Sequence, residues 1–200
     1  MAAVRLGQKW PPGSGPTAAF GCLLRYDRDM QPDEDAFLEY DRWSWHTEGT
    51  FPKDQLPEHG YVHIGVFVAW LVEHDMLDPH WAAGSGVETA VAAIRERSES
   101  PCALRDPTEG RLTGEMLTAD GSAFTGAYYA PEYGYAGDWR RAFGRRADRY
   151  AVPDSWATYD WIEPRIDSRY REWVRAGRPE LMPMPRLLSA LMRLARRGAR

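Results

Sequence analysis

Cysteine is scarce in this chain of 200 residues, and no long apolar run is present. The two cysteines, Cys22 and Cys102, have no CxxC spacing, and the N-terminus lacks the apolar run of a signal peptide. No apolar stretch approaches the roughly 20 residues that span a bilayer, and the longest, 64–72, is typical of a buried core helix. We therefore expect a reduced, cytoplasmic protein without a membrane span.

Charge of either sign is missing from parts of the chain. Residues 29–41 hold six acids and no base, whereas the last twenty residues hold five arginines and no acid. Because the body is acidic, we expect no nucleic-acid binding except through the basic tail. We expect Asp33, Glu34 and Asp35 to contact a cationic protein partner, and a solvated face that only aids solubility is the alternative.

Apolar and aromatic residues, in contrast, are abundant. Hydrophobic residues make up 44% of the chain and nine residues are tryptophan, which excludes a disordered protein and suits one domain. Prolines and glycines in 1–17 predict a flexible N-terminal arm. We predict a single globular domain over 18–178 and, over 179–200, a linker followed by a basic amphipathic helix.

The fold class that the pattern predicts is mainly α. Apolar side chains surround most of the circumference of 60–77, which is typical of a central, buried helix, and Gly65 and Ala69 offer small residues for close helix approach. We expect irregular, aromatic-rich loops at 43–57 and at 113–137. The second of these should have weak helical character at most. Further helices are predicted at 33–40, 86–97, 137–150 and 186–197. Two more are predicted between these: one begins after a cap at Ser155, and one runs from Pro164 to a cap at Gly177.

Histidine is confined to one stretch of the sequence, at His46, His59, His63, His74 and His80. His46 and His63, with Asp41 nearby, are the candidate catalytic residues for acid–base or metal chemistry. His59 and His63 have the spacing of a metal-binding pair, but HExxH is absent because Glu58 precedes His59. No closed set of four ligands can be assembled, so we predict no metal and no cofactor. A structural role stays open, in which His63 satisfies an orphan amide or a loop carbonyl.

Other candidate binding residues are aromatic or basic. Trp45 and Trp70 are candidates because tryptophan is enriched at binding hot spots. Arg141, Arg145 and Arg149 follow one face of a predicted helix at i, i+4 and i+8. These arginines could hold an acidic partner or a phosphate, and a solvated helix face is the alternative.

A longer motif includes two of these histidines. Its pattern, YDxxxWHxxGxFPxxLP followed by HIGxFxAW, is carried by Tyr40-Asp41, Trp45-His46, Gly49, Phe51-Pro52, Leu56-Pro57, His63-Ile64-Gly65, Phe67 and Ala69-Trp70. The motif resembles an uncharacterised family of bacterial proteins, a domain of unknown function, over about residues 40–177. Gln55 adds a residue before Leu56-Pro57, and Arg42 and Trp43 depart from the pattern. The resemblance implies an architecture and points to His46 and His63, and it implies no activity.

Two classes of function remain open. The first is a non-catalytic protein-binding module, such as an immunity or antitoxin-like protein that occupies the active site of a cationic toxin. The alternative is a metal-dependent or acid–base enzyme that uses His46 and His63. We expect 43–57 to fold over the start of the central helix and to bring these histidines together. An open cleft around them would favour the enzyme, and burial beneath tryptophans would favour the binding module.

Overall fold

Helices dominate the structure. The computed structural model describes residues 38–48, 51–131, 133–144 and 150–182. These ranges contain α1 (Trp43–Thr47), α2 (Val62–Glu73), α3 (Pro79–Ser85), α4 (Glu88–Arg95), α5 (Ala119–Phe124), α6 (Tyr135–Phe143) and α7 (Trp156–Arg175). Two strands, β1 (Glu39–Arg42) and β2 (Arg111–Thr113), form a small antiparallel sheet. Short 3-10 or π segments occupy Pro57–Gly60, Gly114–Met116 and Thr125–Tyr129. The prediction of a mainly α fold is confirmed.

The helix α2 forms the centre of the core. Every residue from Val62 to Val72 is buried, so apolar side chains pack against other elements on all sides of the helix. The ring centroids of Trp70 and Phe124 are 5.3 Å apart. The predicted central, buried helix is therefore confirmed, although it is shorter than 60–77. A 3-10 turn precedes it, and the left-handed backbone of Asp75, with φ of 54°, follows its end.

Gly65 allows a turn to approach α2 closely. A Cβ atom at this position would overlap Sγ of Cys102 and lie 3.1 Å from the Cα atom of Cys102. The sequence predicted that another helix packs closely against Gly65. The segment that packs there is instead the non-helical turn at 101–110.

Replacing Gly65 with alanine is expected to lower the free energy of unfolding by about 1–3 kcal/mol, because the added methyl group has no space. Gly84 is the matched control, since it lies in α3 and a Cβ atom there meets nothing within 4 Å. Alanine at Gly84 should be neutral or stabilising by up to about 1 kcal/mol. Urea unfolding of both variants measures the difference, and an unchanged stability of Gly65→Ala would contradict the close approach.

The small sheet places Asp41 in the protein interior. In this sheet Glu39 lies opposite Thr113, Asp41 opposite Leu112, and Arg42 opposite Arg111. The pairing is irregular between Glu39 and Asp41, and such irregularities re-aim side chains. In the described part of the helix predicted at 33–40, Glu39 and Tyr40 lie in strand β1, so that prediction is wrong there. Pairing with β2 outweighs the local preference of acidic residues for a first helical turn.

Two segments are more helical than predicted. Residues 43–47 of the expected loop form α1, and much of 113–137 forms α5 and the π segment. Thr118 caps α5, with its hydroxyl accepting from the Gly121 N–H at 3.1 Å. Gly121 weakens the helix signal in the sequence, yet it is needed here, because a Cβ atom would lie 2.7 Å from the carbonyl oxygen of Met76.

The C-terminal described helices differ from prediction in their limits. The helix α4 confirms the prediction at 86–97, whereas α6 ends at Phe143, before the predicted limit at 150. The predicted start of a new helix at Pro164 is wrong, because α7 continues through this proline. Buried Ile162 and Ile166 anchor α7 on both sides of it. Ser155 caps α7, accepting from the Thr158 N–H, as predicted.

Some sequence-based predictions lie outside the described residues. They are the arm at 1–17, Asp33, Glu34 and Asp35, Arg145 and Arg149 of the basic stripe, and the basic helix at 186–197. In the ranges that the structure describes, no helix combines the length and apolarity needed to cross a membrane.

Candidate functional site

A buried polar cluster forms where the sheet meets the start of α2. Asp41 lies on β1, and α1 follows this strand directly and carries His46. The backbone N–H of Trp43 donates to the Gly110 carbonyl at 2.8 Å, which fixes the junction between the two elements. His63 joins the cluster from the first turn of α2.

The two candidate histidines contact each other. Their ring centroids are 4.4 Å apart and their planes are nearly perpendicular, at 85°. The prediction that 43–57 folds over the start of the central helix and brings His46 near His63 is therefore confirmed. On the α6 side, the ring of Trp139 lies 6.2 Å from that of His63, and the Tyr135 hydroxyl donates to the His63 carbonyl at 2.8 Å.

The carboxylate of Asp41 connects the cluster. Nε2 of His46 lies 2.7 Å from Oδ1 of Asp41, and Nε2 of His63 lies 3.4 Å from Oδ2. The hydroxyl of Tyr129 donates to Oδ2 at 2.6 Å. The backbone N–H of Arg42 donates to Oδ1 at 2.8 Å. Each carboxylate oxygen is thus oriented by an imidazole and by a further donor.

These contacts stabilise the ionised form of Asp41. Burial by itself would raise the pKa of this carboxyl, but the hydrogen bonds and charges of His46 and His63 outweigh burial and hold the pKa below its ordinary value. Burial, followed by the charge of Asp41, raises the pKa of Tyr129 well above its ordinary value. At neutral pH the cluster therefore contains a carboxylate and a protonated phenol that donates to it.

Three side chains of the cluster offer possible metal ligands. One ligand atom from each of Asp41, His46 and His63 lies within 4.8 Å of the other two. Imidazole nitrogen and carboxylate oxygen together suit zinc and other divalent transition metals. The other histidines lie apart from this set: Nδ1 of His59 is 2.9 Å from the Gln55 side-chain oxygen, Nε2 of His74 is 3.2 Å from Asp167, and His80 is exposed.

The cluster lies close to the protein surface. The side chains of Asp41, His46 and His63 are largely buried, with Trp139 beside His63, and each keeps a small exposed fraction. Burial of the histidines is the arrangement expected of the binding module and not the open cleft expected of the enzyme, so the proposal of an enzyme depends on the ligand geometry and not on an open cleft. Trp45, the neighbour of His46 on α1, is 44% exposed. The guanidinium of Arg42 lies 5.8 Å from the centroid of the Trp45 ring. Trp45 is therefore accessible to a ligand or a partner. Accessibility is a requirement for the binding role that was predicted for this residue.

The remaining predicted binding residues have other environments. Trp70 is completely buried, and its indole N–H donates to Oδ1 of Asp167 at 2.9 Å, so it stabilises the core and does not reach the surface. Arg141 lies on α6, half-exposed, with its guanidinium on the carboxylate of Asp138.

Sequence reasoning missed Tyr129, which is 88 residues from Asp41 in the chain. It named Asp41, His46 and His63 as candidates for acid–base or metal chemistry but found no ligand spacing among them, because these residues come from a strand and two helices. Fixed spacings describe ligands on one element or one loop. The only signal for this grouping is the motif that contains all three residues.

Comparisons with known proteins identify a family without giving an activity. Neither the curated proteins nor the solved structures contain a match to this chain. A family model, described as a domain of unknown function (DUF7832), matches residues 39–152. The match includes Asp41, His46, His63 and Tyr129, and it ends before α7, so it is shorter than the resemblance over 40–177. Because the match covers more than half of the 200 residues, the chain belongs to the DUF7832 family.

Proposed function

We propose that Asp41, His46 and His63 bind a divalent transition-metal ion and that the protein is a metal-dependent enzyme. The observation that carries this proposal is the convergence of two imidazoles on the two oxygens of one buried carboxylate. Two histidines and one carboxylate form a metal-binding set that leaves coordination positions for water or substrate. Such an ion, when bound, activates a water molecule or polarises a carbonyl or phosphoryl oxygen.

Tyr129 supports this assignment. Carboxylates that bind metals are themselves held by hydrogen bonds, and the Tyr129 hydroxyl supplies such a bond to Oδ2 of Asp41. The phenol stays protonated at neutral pH because burial and the charge of Asp41 raise its pKa. Tyr129 is therefore a positioning residue that fixes the orientation of the Asp41 carboxylate.

The proposal replaces the expectation, based on sequence spacing, that the protein holds no metal. That expectation required four ligands in a closed set, which is the arrangement of a structural zinc site. A catalytic site needs three protein ligands and an open position. Without a metal, the same residues form a carboxylate–imidazole pair suited to proton transfer, which is the acid–base form of the enzyme.

A metal titration tests the proposal. Chelator-treated protein is titrated with Co²⁺, with the visible absorption of the ion as the readout, and then with Zn²⁺ as competitor. We expect about one ion per chain. His46→Ala and His63→Ala should each weaken binding by more than about 100-fold, because the loss of outer hydrogen bonds to ligands already costs about 10–100-fold. Tyr129→Phe should weaken metal binding by about 10–100-fold, since it removes only such an outer hydrogen bond.

His59→Ala is the matched control, because His59 is four residues from His63 and partly buried but lies outside the cluster. Asp41→Asn removes a ligand with nearly unchanged side-chain size, so it tests the site even if the histidine variants misfold. Circular dichroism verifies the fold of each variant. Absence of binding by the parent would contradict the proposal. Equal binding by His59→Ala, His63→Ala and Asp41→Asn would place the ion elsewhere and would also contradict it.

A second candidate function is the protein-binding module. The specific observation that favours it is the exposure of two large apolar side chains on elements that contact each other. Trp45 lies on α1, and Leu56 lies at the start of the 57–60 turn, which α1 contacts. Exposed tryptophan is typical of binding hot spots. An immunity-like role, with a cationic toxin as partner in the cytoplasm, stays a prediction. A parent protein that binds no metal would favour this candidate.

A further inference from the structure

Three guanidinium groups surround one buried carboxylate at the contact of α6 with α7. The side chain of Asp138 on α6 is completely buried. Its Oδ1 accepts from Arg141 at 2.5 Å and from Arg165 at 3.1 Å, and its Oδ2 accepts from Arg169 at 2.9 Å. The hydroxyl of Tyr128 also donates to Oδ2, at 3.2 Å. Two helices, α6 and α7, thus direct three cations to a single anion.

The described side chains around Asp138 carry more positive than negative charge. Glu172 pairs with Arg169 at 3.0 Å and is the second anion of the group. Within the described ranges of the chain, Arg141 and Arg165 have no acidic partner except Asp138. Among the described residues, three cations therefore face two anions, and the excess belongs to Arg141 and Arg165.

Arg141 and Arg165 are also the accessible members of the group. Their side chains are 49% and 46% exposed, whereas Arg169 is nearly buried. Each uses a terminal nitrogen on Oδ1 of Asp138, and a guanidinium carries several further N–H donors. Because both contact the same oxygen atom, the two groups are held side by side. Little side-chain entropy then remains to be lost when an anion binds between them.

We propose that Arg141 and Arg165 form a binding site for a phosphate dianion, the terminal group of a small phosphorylated ligand. The planar fork of arginine binds phosphate oxygens in pairs, and two adjacent guanidinium groups favour a dianion over a singly charged carboxylate. The sequence pattern associated Arg141 with Arg145 and Arg149 on one helix. Among the described residues, the structure places Arg141 beside Arg165 of α7. None of the proposed metal ligands belongs to this site.

Inorganic phosphate is the probe for this site. Thermal unfolding of the full chain is followed at increasing phosphate, with chloride adjusted to keep the ionic strength constant at pH 7.5. A ligand that binds only the folded state raises the Tm in a saturable way. Phosphate also stabilises proteins by exclusion from their surfaces, but that effect does not saturate and is common to all variants.

We expect a saturable rise in Tm for the parent. Arg141→Gln and Arg165→Gln should each weaken phosphate binding at least about tenfold, because each removes a charge-assisted hydrogen-bond donor. Arg171→Gln is the matched control: Arg171 also lies on α7 and is exposed, and its acidic partner is Asp167, at 3.7 Å. Arg171→Gln should titrate like the parent. Arg165→Lys keeps the charge beside Asp138 but loses the fork, so it should fold normally and bind weakly.

Three results would overturn the proposal. The first is a parent whose Tm rises without saturation, as general exclusion predicts. The second is equal titration by the parent, Arg141→Gln and Arg165→Lys, which would place phosphate elsewhere. The third is an equal, saturable response to acetate and to phosphate at the same ionic strength, which would deny selectivity for the dianion.

Discussion

Replacing Trp70 with alanine is expected to lower the free energy of unfolding by about 3–5 kcal/mol, the range for a large aromatic side chain lost from a core. Trp70 is completely buried in the centre of α2. Its ring stacks on that of His74 with centroids 4.1 Å apart, and its indole N–H donates to Asp167. The variant would lose this packing and leave a cavity between α2 and α7.

Trp161 provides the matched control for this variant. It lies on α7 and is 70% exposed, so alanine there should change stability by no more than about 0.5 kcal/mol. Denaturant unfolding of both variants, followed by circular dichroism because each loses a fluorophore, gives the comparison. Equal stability of Trp70→Ala and Trp161→Ala would show that α2 is not the centre of the core.

The central helix and the histidine pair were predictable from the sequence. Only a helix enclosed by other elements can have apolar residues around nearly its whole circumference, as α2 does. The segment at 43–57 contains aromatic residues that need a packing surface, and its helix α1 contacts the 57–60 turn that leads into α2. The contact between His46 and His63 follows from these two features.

The sequence named Asp41 as a candidate beside that pair, but the contacts that hold the cluster together were not predictable, because they depend on tertiary contacts between distant segments. Asp41 points into the core because β1 pairs with β2, in which its partner Leu112 is 71 residues further along the chain, with an irregular register. Tyr129 reaches Asp41 from a π segment that contains Gly126, a residue that disfavours helix. In the same way, no periodicity links Arg141 of α6 to Arg165 of α7.

The buried carboxylate of Asp138 should be more important for stability than any exposed ion pair. We expect Asp138→Asn to lower the free energy of unfolding by about 3–5 kcal/mol, since it leaves the nearly buried Arg169 without a full counter-charge and removes an acceptor from Arg141 and Arg165. Asp120→Asn is the matched control, because Asp120 pairs with Arg178 at the surface. Its loss should cost about 0–1 kcal/mol.

The effect of Asp138→Asn should also depend on pH. Burial alone would raise the pKa of Asp138, but the hydrogen bonds and charges of Arg169 and Arg165 outweigh burial and hold it below its ordinary value of 3.8. A lowered pKa in the folded state means that the carboxylate contributes stability in full above the unfolded value, and that this contribution is lost as the pH falls through the folded value. The stability difference between the parent and Asp138→Asn should therefore be constant near neutral pH and shrink below about pH 4. Urea unfolding at a series of pH values measures it, and a difference that stays constant into strong acid would mean that the charge of Asp138 is not what binds α6 to α7.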